Sequence, residues 1–115
     1  MQYQTTTYTA NIYCGLRRGY GPEGKLHTVE EVLDSIQDYC SDVGFGVTVT
    51  PTVFVYKGGR EPGVIVGLSN YPRNPIAAAQ IEAHAKVIAR FLREDFGQER
   101  VTIVFPDLTL TIGEM

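Results

Sequence analysis

Two strand patterns joined by a tight glycine turn occupy the centre of this 115-residue sequence. In residues 45–56, valine and threonine alternate, as they do in a strand with one covered face. Residues 64–68 are almost wholly apolar, which predicts a central or covered strand. Residues 57–63 contain Gly-Gly, which suits a hairpin connection. Because Pro51 has no N–H to donate, it predicts an edge position, bend or bulge in the first strand.

A helical pattern precedes this hairpin. Thr28 and Glu31 have the spacing of a capping box, and Gly44 follows the last apolar residue of the pattern. The apolar residues that recur at helical spacing on one face are Val29, Val32, Leu33, Ile36, Tyr39, Cys40 and Val43. The pattern therefore predicts a helix from Thr28 to Gly44 with this face buried.

A second helical pattern follows the hairpin. Asn74 is the predicted N-cap and Pro75 the first helical residue, since proline is tolerated where no N–H is needed. The helix is expected to run to about Phe96, and Gly97 ends it. The predicted buried face consists of Ile81, Ala85, Ile88, Leu92 and Phe96.

Three further alternating segments, residues 8–14, 100–105 and 108–112, predict strands. The order is β-α-β-β-α-β with one added strand, which predicts the α+β class and a ferredoxin-like sandwich: an antiparallel sheet with both helices on one face. We expect a single domain over residues 1–115, with residues 1–7 as a flexible N-terminus. The other sheet face carries Thr and Tyr, and a second copy often closes such a face. This predicts a homo-oligomer, a dimer or a higher assembly such as a hexamer.

The composition limits the classes of partner. A net charge of −3 argues against long nucleic acid and against a membrane surface. The N-terminus lacks the features of a signal peptide and no apolar run approaches a membrane span, so a cytoplasmic location is expected. Cys14 and Cys40 are predicted to be free thiols, although the sequence leaves a disulfide open.

No residues at catalytic or metal-ligand spacing stand out. His27 and His84 are far apart and form no cluster with cysteine or acidic residues, so no metal site is expected. The glycines of residues 15–24 do not have the spacing of a Walker loop or a dinucleotide fingerprint, so no cofactor is expected. The sequence therefore predicts no catalytic residues and a protein that is not an enzyme.

Two polar loops are candidates for ligand binding. The candidate residues are Arg17, Arg18 and Tyr20 after the first strand, and Asn70, Tyr71, Arg73 and Asn74 after the third. Arginine matches phosphate oxygens, tyrosine stacks on bases, and a helix N-terminus attracts anions, so a small nucleotide is the predicted ligand. The alternative is that the arginines are solvated loop residues and the tyrosine only packs the turn.

Strand direction separates these two loops. The first and third strands are expected to be antiparallel neighbours, so the loops that follow them lie at opposite ends of one protomer. A single pocket that uses both loops therefore needs two chains.

Three segments carry a resemblance to a known family: Ile12-Tyr-Cys-Gly-Leu-Arg-Arg-Gly-Tyr20, Val47-Thr-Val-Thr-Pro-Thr52 and Gly63-Val-Ile-Val-Gly-Leu-Ser-Asn-Tyr-Pro-Arg73. Together they resemble the first-described family of phage anti-Thoeris sponge proteins. This resemblance implies a small oligomeric anti-defence protein in the host bacterial cytoplasm. It implies sequestration of a cyclic ADP-ribose isomer without cleavage, and binding of cyclic oligonucleotides by some members.

Two alternatives of other classes stay open. One is a small enzyme on a dimeric ferredoxin-like scaffold, with Tyr13, His84 or Cys14 taking part in the reaction. The other is a structural or protein-interaction module that uses the Thr and Tyr face of the sheet as its contact surface.

Overall fold

The computed structural model describes residues 1–19 and 23–114. Within these ranges the chain forms five strands and two helices. They are β1 (Thr9–Gly15), α1 (Val29–Val43), β2 (Thr48–Tyr56), β3 (Gly59–Ser69), α2 (Ala78–Asp95), β4 (Arg100–Val104) and β5 (Thr109–Gly113).

The strands form one sheet in the order β2-β3-β1-β4-β5, and every neighbouring pair is antiparallel. The first four strands have the ferredoxin-like order, and β5 extends the sheet beyond β4. This confirms the predicted fold class and the added C-terminal strand. Pro51 lies in the edge strand β2, as its missing N–H predicted.

The core lies between the sheet and the helices. Alternate strand residues face the helices and are buried, among them Ile12, Val66 and Ile103. From α2 they meet a completely buried stripe of Ile81, Ala85, Ile88 and Leu92. The strand register places threonine and tyrosine on the opposite face, hereafter the open face, as the alternation predicted.

Helix α1 begins and ends where its capping residues predict. The Thr28 Oγ1 atom accepts a hydrogen bond from the Glu31 N–H at 3.2 Å. Gly44 has a φ of 70° and donates its N–H to the Cys40 carbonyl, which satisfies an otherwise free acceptor at the helix end. The predicted buried face is too wide, because Leu33 is 37% exposed and Val43 is 43% exposed.

Helix α2 begins later than predicted. Asn74 is not its N-cap, and Pro75 is not its first residue: the helix starts at Ala78 after Ala77. The Asn74 N–H donates to the Tyr71 carbonyl at 3.0 Å and closes a turn. This turn takes the place of the predicted first helical turn.

The hairpin turn is shorter than the predicted residues 57–63. Strand β2 ends at Tyr56 and β3 begins at Gly59, so two residues connect them, and Gly58 takes a φ of 86°. Glu61 therefore lies within β3, opposite Phe54 of β2. This register places Glu61 and Phe54 side by side on the same face of the sheet.

Candidate functional site

A groove of about 760 Å³ lies on the open face, at the end where β1 finishes and β4 begins. Aromatic, acidic and basic side chains from four strands and two loops meet there. Its lining consists of Tyr13, Gly15, Arg17, Gly19, Phe54, Tyr56, Gly58, Gly59, Arg60, Glu61, Gln98, Glu99, Arg100 and Thr102. We refer to it as the open-face groove.

Two paired glycines lie beneath the side chains of the open-face groove. Gly15 of β1 lies opposite Gly63 of β3 in the antiparallel register. A Cβ atom on Gly63 would overlap the Phe54 ring, so the missing side chain allows that ring to lie against the strand. The Tyr13 and Phe54 rings are 6.5 Å apart and tilted by 59°. The floor therefore carries an aromatic pair, a surface that suits a flat apolar ligand group.

Two side-chain oxygens meet above Gly15. The Oε1 atoms of Glu61 and Gln98 each lie 2.6 Å from the point that a Cβ atom of Gly15 would occupy. The Gln98 Nε2 donates to the carbonyls of Arg17 at 2.8 Å and Phe96 at 3.0 Å, which orients its Oε1 towards the groove. Within residues 1–19 and 23–114, neither oxygen receives a hydrogen bond and Glu61 forms no ion pair.

Two arginine side chains add positive charge to the same groove. Arg17 donates to the Gly24 carbonyl at 3.1 Å, and Arg100 lies 3.5 Å from the Glu114 carbonyl. Arg60 also borders the groove, but its side chain alternates with that of Glu61 and points to the other face of the sheet, as does that of its cross-strand partner Val55. The groove therefore presents an acceptor pair and guanidinium groups beside aromatic rings. This combination suits a small ligand that carries both charges and a flat ring.

The predicted residues of the first loop separate in the structure. Arg17 lines the open-face groove. Arg18 instead donates to the Asp95 carbonyl at 2.7 Å and packs on Gly97, so it stabilises the end of α2. Tyr20 lies outside the described residues.

The predicted residues after the third strand lie at the opposite end of the protomer. Ser69 pairs with the first residue of β1 and Gly63 with its last, so Asn70–Asn74, hereafter the junction segment, lies far from Gly15. The two predicted loops therefore do not meet within one chain, as strand direction predicted. A role for the junction segment in binding stays a prediction.

Asn70 holds the junction segment together. Its Nδ2 donates to the Thr5 hydroxyl at 3.2 Å and to the Thr6 carbonyl at 2.8 Å, and its Oδ1 accepts from the Ile76 N–H at 3.0 Å. Both polar atoms of its side chain are therefore used in structural contacts. By contrast, Tyr71 is 45% exposed.

Of the three residues named for a small enzyme, one lines the groove, and that is Tyr13. Cys14 is buried on the helix side of β1, where burial and the nearby Glu61 carboxylate raise its thiol pKa to about 12. His84 lies on α2 and shares a 2.6 Å hydrogen bond with Tyr39. Cys14 and Cys40 are both free thiols.

Sequence reasoning missed Phe54, Glu61 and Gln98 as site residues. The available signal was the spacing of glycines, because two glycines that face each other across neighbouring strands leave room for a ligand or for large rings. That signal becomes useful only when the strand register is known.

Two further features concern metal ions and membranes. No group of three His, Cys, Asp or Glu side chains in the described ranges is placed to hold a metal ion. Neither of the two described helices is long and apolar enough to cross a membrane.

The chain is similar to two solved structures of phage SAM lyase. The apo form is 22% identical, with a TM-score of 0.71 and coverage of 93% of this chain and 89% of that chain. A complex with S-methyl-5′-thioadenosine is 17% identical, with a TM-score of 0.73 and coverage of 99% and 95%. No protein-family model and no curated protein matches the sequence. At these identities the likeness shows a shared fold.

These comparisons correct two predictions. The prediction of a protein that is not an enzyme is contradicted, because both similar structures are those of an enzyme. The prediction of an anti-defence sponge for cyclic ADP-ribose is contradicted for the same reason. The alternative of a small enzyme on a ferredoxin-like scaffold agrees better with the findings.

Proposed function

We propose that this chain binds S-adenosylmethionine in the open-face groove and cleaves it to S-methyl-5′-thioadenosine. Support comes first from the SAM lyase structures, which share the fold over nearly the whole chain. The main observation is the groove itself, in which the Tyr13 and Phe54 rings lie beside an acceptor pair and arginines. Its volume of about 760 Å³ is in the range of small-ligand sites.

The parts of the substrate match the parts of the groove. S-adenosylmethionine has a flat adenine ring, a sulfonium, an ammonium and a carboxylate. Aromatic rings suit the adenine, and guanidinium groups such as that of Arg100 suit the carboxylate. We assign the protein to the cytoplasm, where free thiols such as Cys14 and Cys40 persist.

The reaction breaks the bond between the sulfonium sulfur and Cγ of the methionine part. Sulfur keeps the electron pair and leaves as the neutral thioether of S-methyl-5′-thioadenosine. In the route we propose, the carboxylate of the substrate attacks Cγ, so the new C–O bond closes a lactone as the C–S bond breaks. This route needs no base from the protein, and the described lining of the groove contains no histidine or cysteine.

Exclusion of water favours this route. The attacking carboxylate and the sulfonium have opposite charges that cancel as the bond forms, so the transition state is less charged than the substrate. A dry, partly apolar groove therefore lowers the barrier relative to water. In one protomer the groove is open on the solvent side of the sheet.

The proposed cover for the groove is the junction segment of a second copy. This segment lies at the far end of its own protomer and exposes Tyr71 and Arg73. Contact between the junction segment of one copy and the groove of the next is head-to-tail, and such contacts form closed rings when the rotation closes. The proposed protein is therefore a homo-oligomer whose sites are shared between chains.

Product analysis tests the proposed reaction. Purified protein is incubated with S-adenosylmethionine, and S-methyl-5′-thioadenosine and homoserine lactone are followed by liquid chromatography and mass spectrometry. We expect both products to form together, faster than in protein-free and heat-denatured samples. Equal rates in all three samples would overturn the proposed function. An alkene product in place of the lactone would overturn the internal attack.

Complementation tests the shared site. Phe54→Ala and Arg73→Ala each alter a different half of the proposed site, so each variant alone is expected to lose activity without unfolding. In a head-to-tail ring mixed at random, about a quarter of the sites combine the intact groove of one variant with the intact junction segment of the other. Co-expression of the two variants should therefore restore activity at about that fraction of the sites. Sedimentation as a monomer, or no recovery from mixed oligomers, would contradict the shared site.

A further inference from the structure

The oxygen pair above Gly15 is not satisfied by the described part of the protein. The Glu61 carboxylate and the Gln98 Oε1 are both hydrogen-bond acceptors, and each lies 2.6 Å from the point that a Cβ atom of Gly15 would occupy. Two acceptors side by side repel each other unless a donor or a cation lies between them. This position therefore favours a ligand group that is cationic and can donate hydrogen bonds to both oxygens.

We infer that Glu61 and Gln98 bind the ammonium group of the methionine part of the substrate, which makes this pair the determinant of selectivity for S-adenosylmethionine over S-methyl-5′-thioadenosine. This inference rests on the proposed function and specifies one part of the same groove. The product lacks the ammonium, so it leaves the pair unoccupied. Release of the product is favoured by the loss of this contact.

Of the groups of the substrate, the ammonium best matches two neighbouring acceptors. It is cationic and has three N–H bonds, so it can donate to both Oε1 atoms at once. The sulfonium is cationic but has no hydrogen to donate, and a carboxylate gains little from it beyond charge. The ribose hydroxyls can donate but carry no charge, so their hydrogen bonds to the Glu61 carboxylate are weaker than those of the ammonium.

The orientation of Gln98 is held by contacts outside the groove. Its Nε2 donates to two backbone carbonyls, those of Arg17 and Phe96. The reversed amide would turn its oxygen towards those two carbonyl oxygens, so the observed orientation is favoured. The acceptor is therefore in place before the ligand binds, which reduces the ordering cost of binding.

Neighbouring groups extend this assignment to the whole amino-acid part. Arg17 and Arg100 line the same groove as the oxygen pair. A ligand that places its ammonium on the oxygen pair has a guanidinium within the same groove for its carboxylate. The polar end of the groove therefore presents an acceptor pair for the ammonium and a guanidinium for the carboxylate of the amino-acid part.

Isosteric replacement of the carboxylate tests the inference. The probes are S-adenosylhomocysteine, which keeps the ammonium and carboxylate but has a neutral thioether, and S-methyl-5′-thioadenosine, which has neither charge. With Glu61→Gln we expect the calorimetric affinity for S-adenosylhomocysteine to fall about tenfold, because a charge-assisted hydrogen bond becomes a neutral one. The affinity for S-methyl-5′-thioadenosine should not change. Glu30→Gln, on exposed helix surface, is the charge-matched control.

Gly15→Ala provides a second variant that leaves Glu61 intact. The added methyl group would lie 2.6 Å from both Oε1 atoms and push them apart, so the same selective loss is expected. Gly46→Ala is the matched control, since nothing lies within 4 Å of a Cβ at that position. Circular dichroism verifies that each variant is folded.

The remaining outcomes separate this inference from the proposed function. Equal loss for both probes would assign Glu61 to the nucleoside and overturn the inference. If Glu61→Gln keeps its affinity for S-adenosylhomocysteine but has a lower kcat/KM for S-adenosylmethionine, Glu61 contacts the sulfonium. That result would also overturn the inference. If the wild-type protein binds neither probe and produces no S-methyl-5′-thioadenosine, the proposed function itself fails.

Discussion

The Tyr8 hydroxyl donates a 2.6 Å hydrogen bond to Oε1 of Glu82, which joins the residue before β1 to helix α2. Removal of that hydroxyl in Tyr8→Phe leaves the carboxylate without this partner. We expect a loss of about 1 kcal/mol in the free energy of unfolding, measured by urea denaturation. Tyr3→Phe is the control, because Tyr3 is 71% exposed and its hydroxyl donates to the nearby Met1 Sδ at 2.6 Å. Equal effects of the two substitutions would contradict a stabilising role for the bond.

The same bond predicts a dependence of stability on alkaline pH. Partial burial, together with the bond to Glu82, raises the pKa of Tyr8 to about 12 from its usual 10.0. The unfolded chain loses this proton at a lower pH than the folded chain. The contribution of Tyr8 is therefore complete below pH 10 and disappears as the pH rises towards about 12.

Ultraviolet titration of the phenolate band measures this effect. The wild-type protein should contain a late-titrating tyrosine that Tyr8→Phe lacks. The melting temperature of the wild-type protein should also fall more steeply between pH 10 and pH 12 than that of the variant. An unchanged late step in the variant would assign that step to another tyrosine.

Truncation of two leucine-sized residues should separate core from surface. Ile88 on α2 is completely buried, so Ile88→Ala is expected to cost about 2–5 kcal/mol of unfolding free energy. Leu33 on α1 has the same helical periodicity but is 37% exposed, so Leu33→Ala should cost less than about 1 kcal/mol. Chemical denaturation of both variants under one set of conditions gives the comparison. A cost for Leu33→Ala as large as that for Ile88→Ala would indicate that another chain covers α1.

Most of the fold could be predicted because its signals are local. The order of elements follows from periodicity, and Thr28 and Gly44 satisfy backbone groups within a few residues of themselves. The start of α2 could not be predicted in this way. Asn70 bonds to Thr5, Thr6 and the Ile76 N–H, and these contacts depend on the position of a distant segment.

The open-face groove could not be predicted either, because residues far apart in the sequence form it. The sequence pattern places Glu61 in a turn, whereas the two-residue hairpin of the structure brings it into β3 opposite Phe54. Its approach to Gln98, far along the chain, requires Gly15 to pair with Gly63. Charge points to Arg17, which lines the groove, but it points equally to Arg18, whose guanidinium stabilises the end of α2.

Replacement of Phe54 should affect the nucleoside part of the ligand and not its charges. The Phe54 ring lies against Gly63 and 6.5 Å from the Tyr13 ring, where the proposed function places adenine. Phe54→Leu keeps an apolar side chain but removes the aromatic face, whose contacts are worth about 0.5–1.5 kcal/mol. Calorimetry should therefore show a loss of about tenfold or less in affinity. The loss should be the same for S-methyl-5′-thioadenosine and S-adenosylhomocysteine.

Val55→Ala is the matched control for this substitution. Val55 is the next residue of β2, is 75% exposed, and its side chain points away from the open face. It should leave both affinities unchanged. An equal loss for both ligands in Phe54→Leu, beside a loss for S-adenosylhomocysteine alone in Glu61→Gln, would divide the groove into a nucleoside half and an amino-acid half. Unchanged affinity for both ligands in Phe54→Leu would show that adenine binds elsewhere.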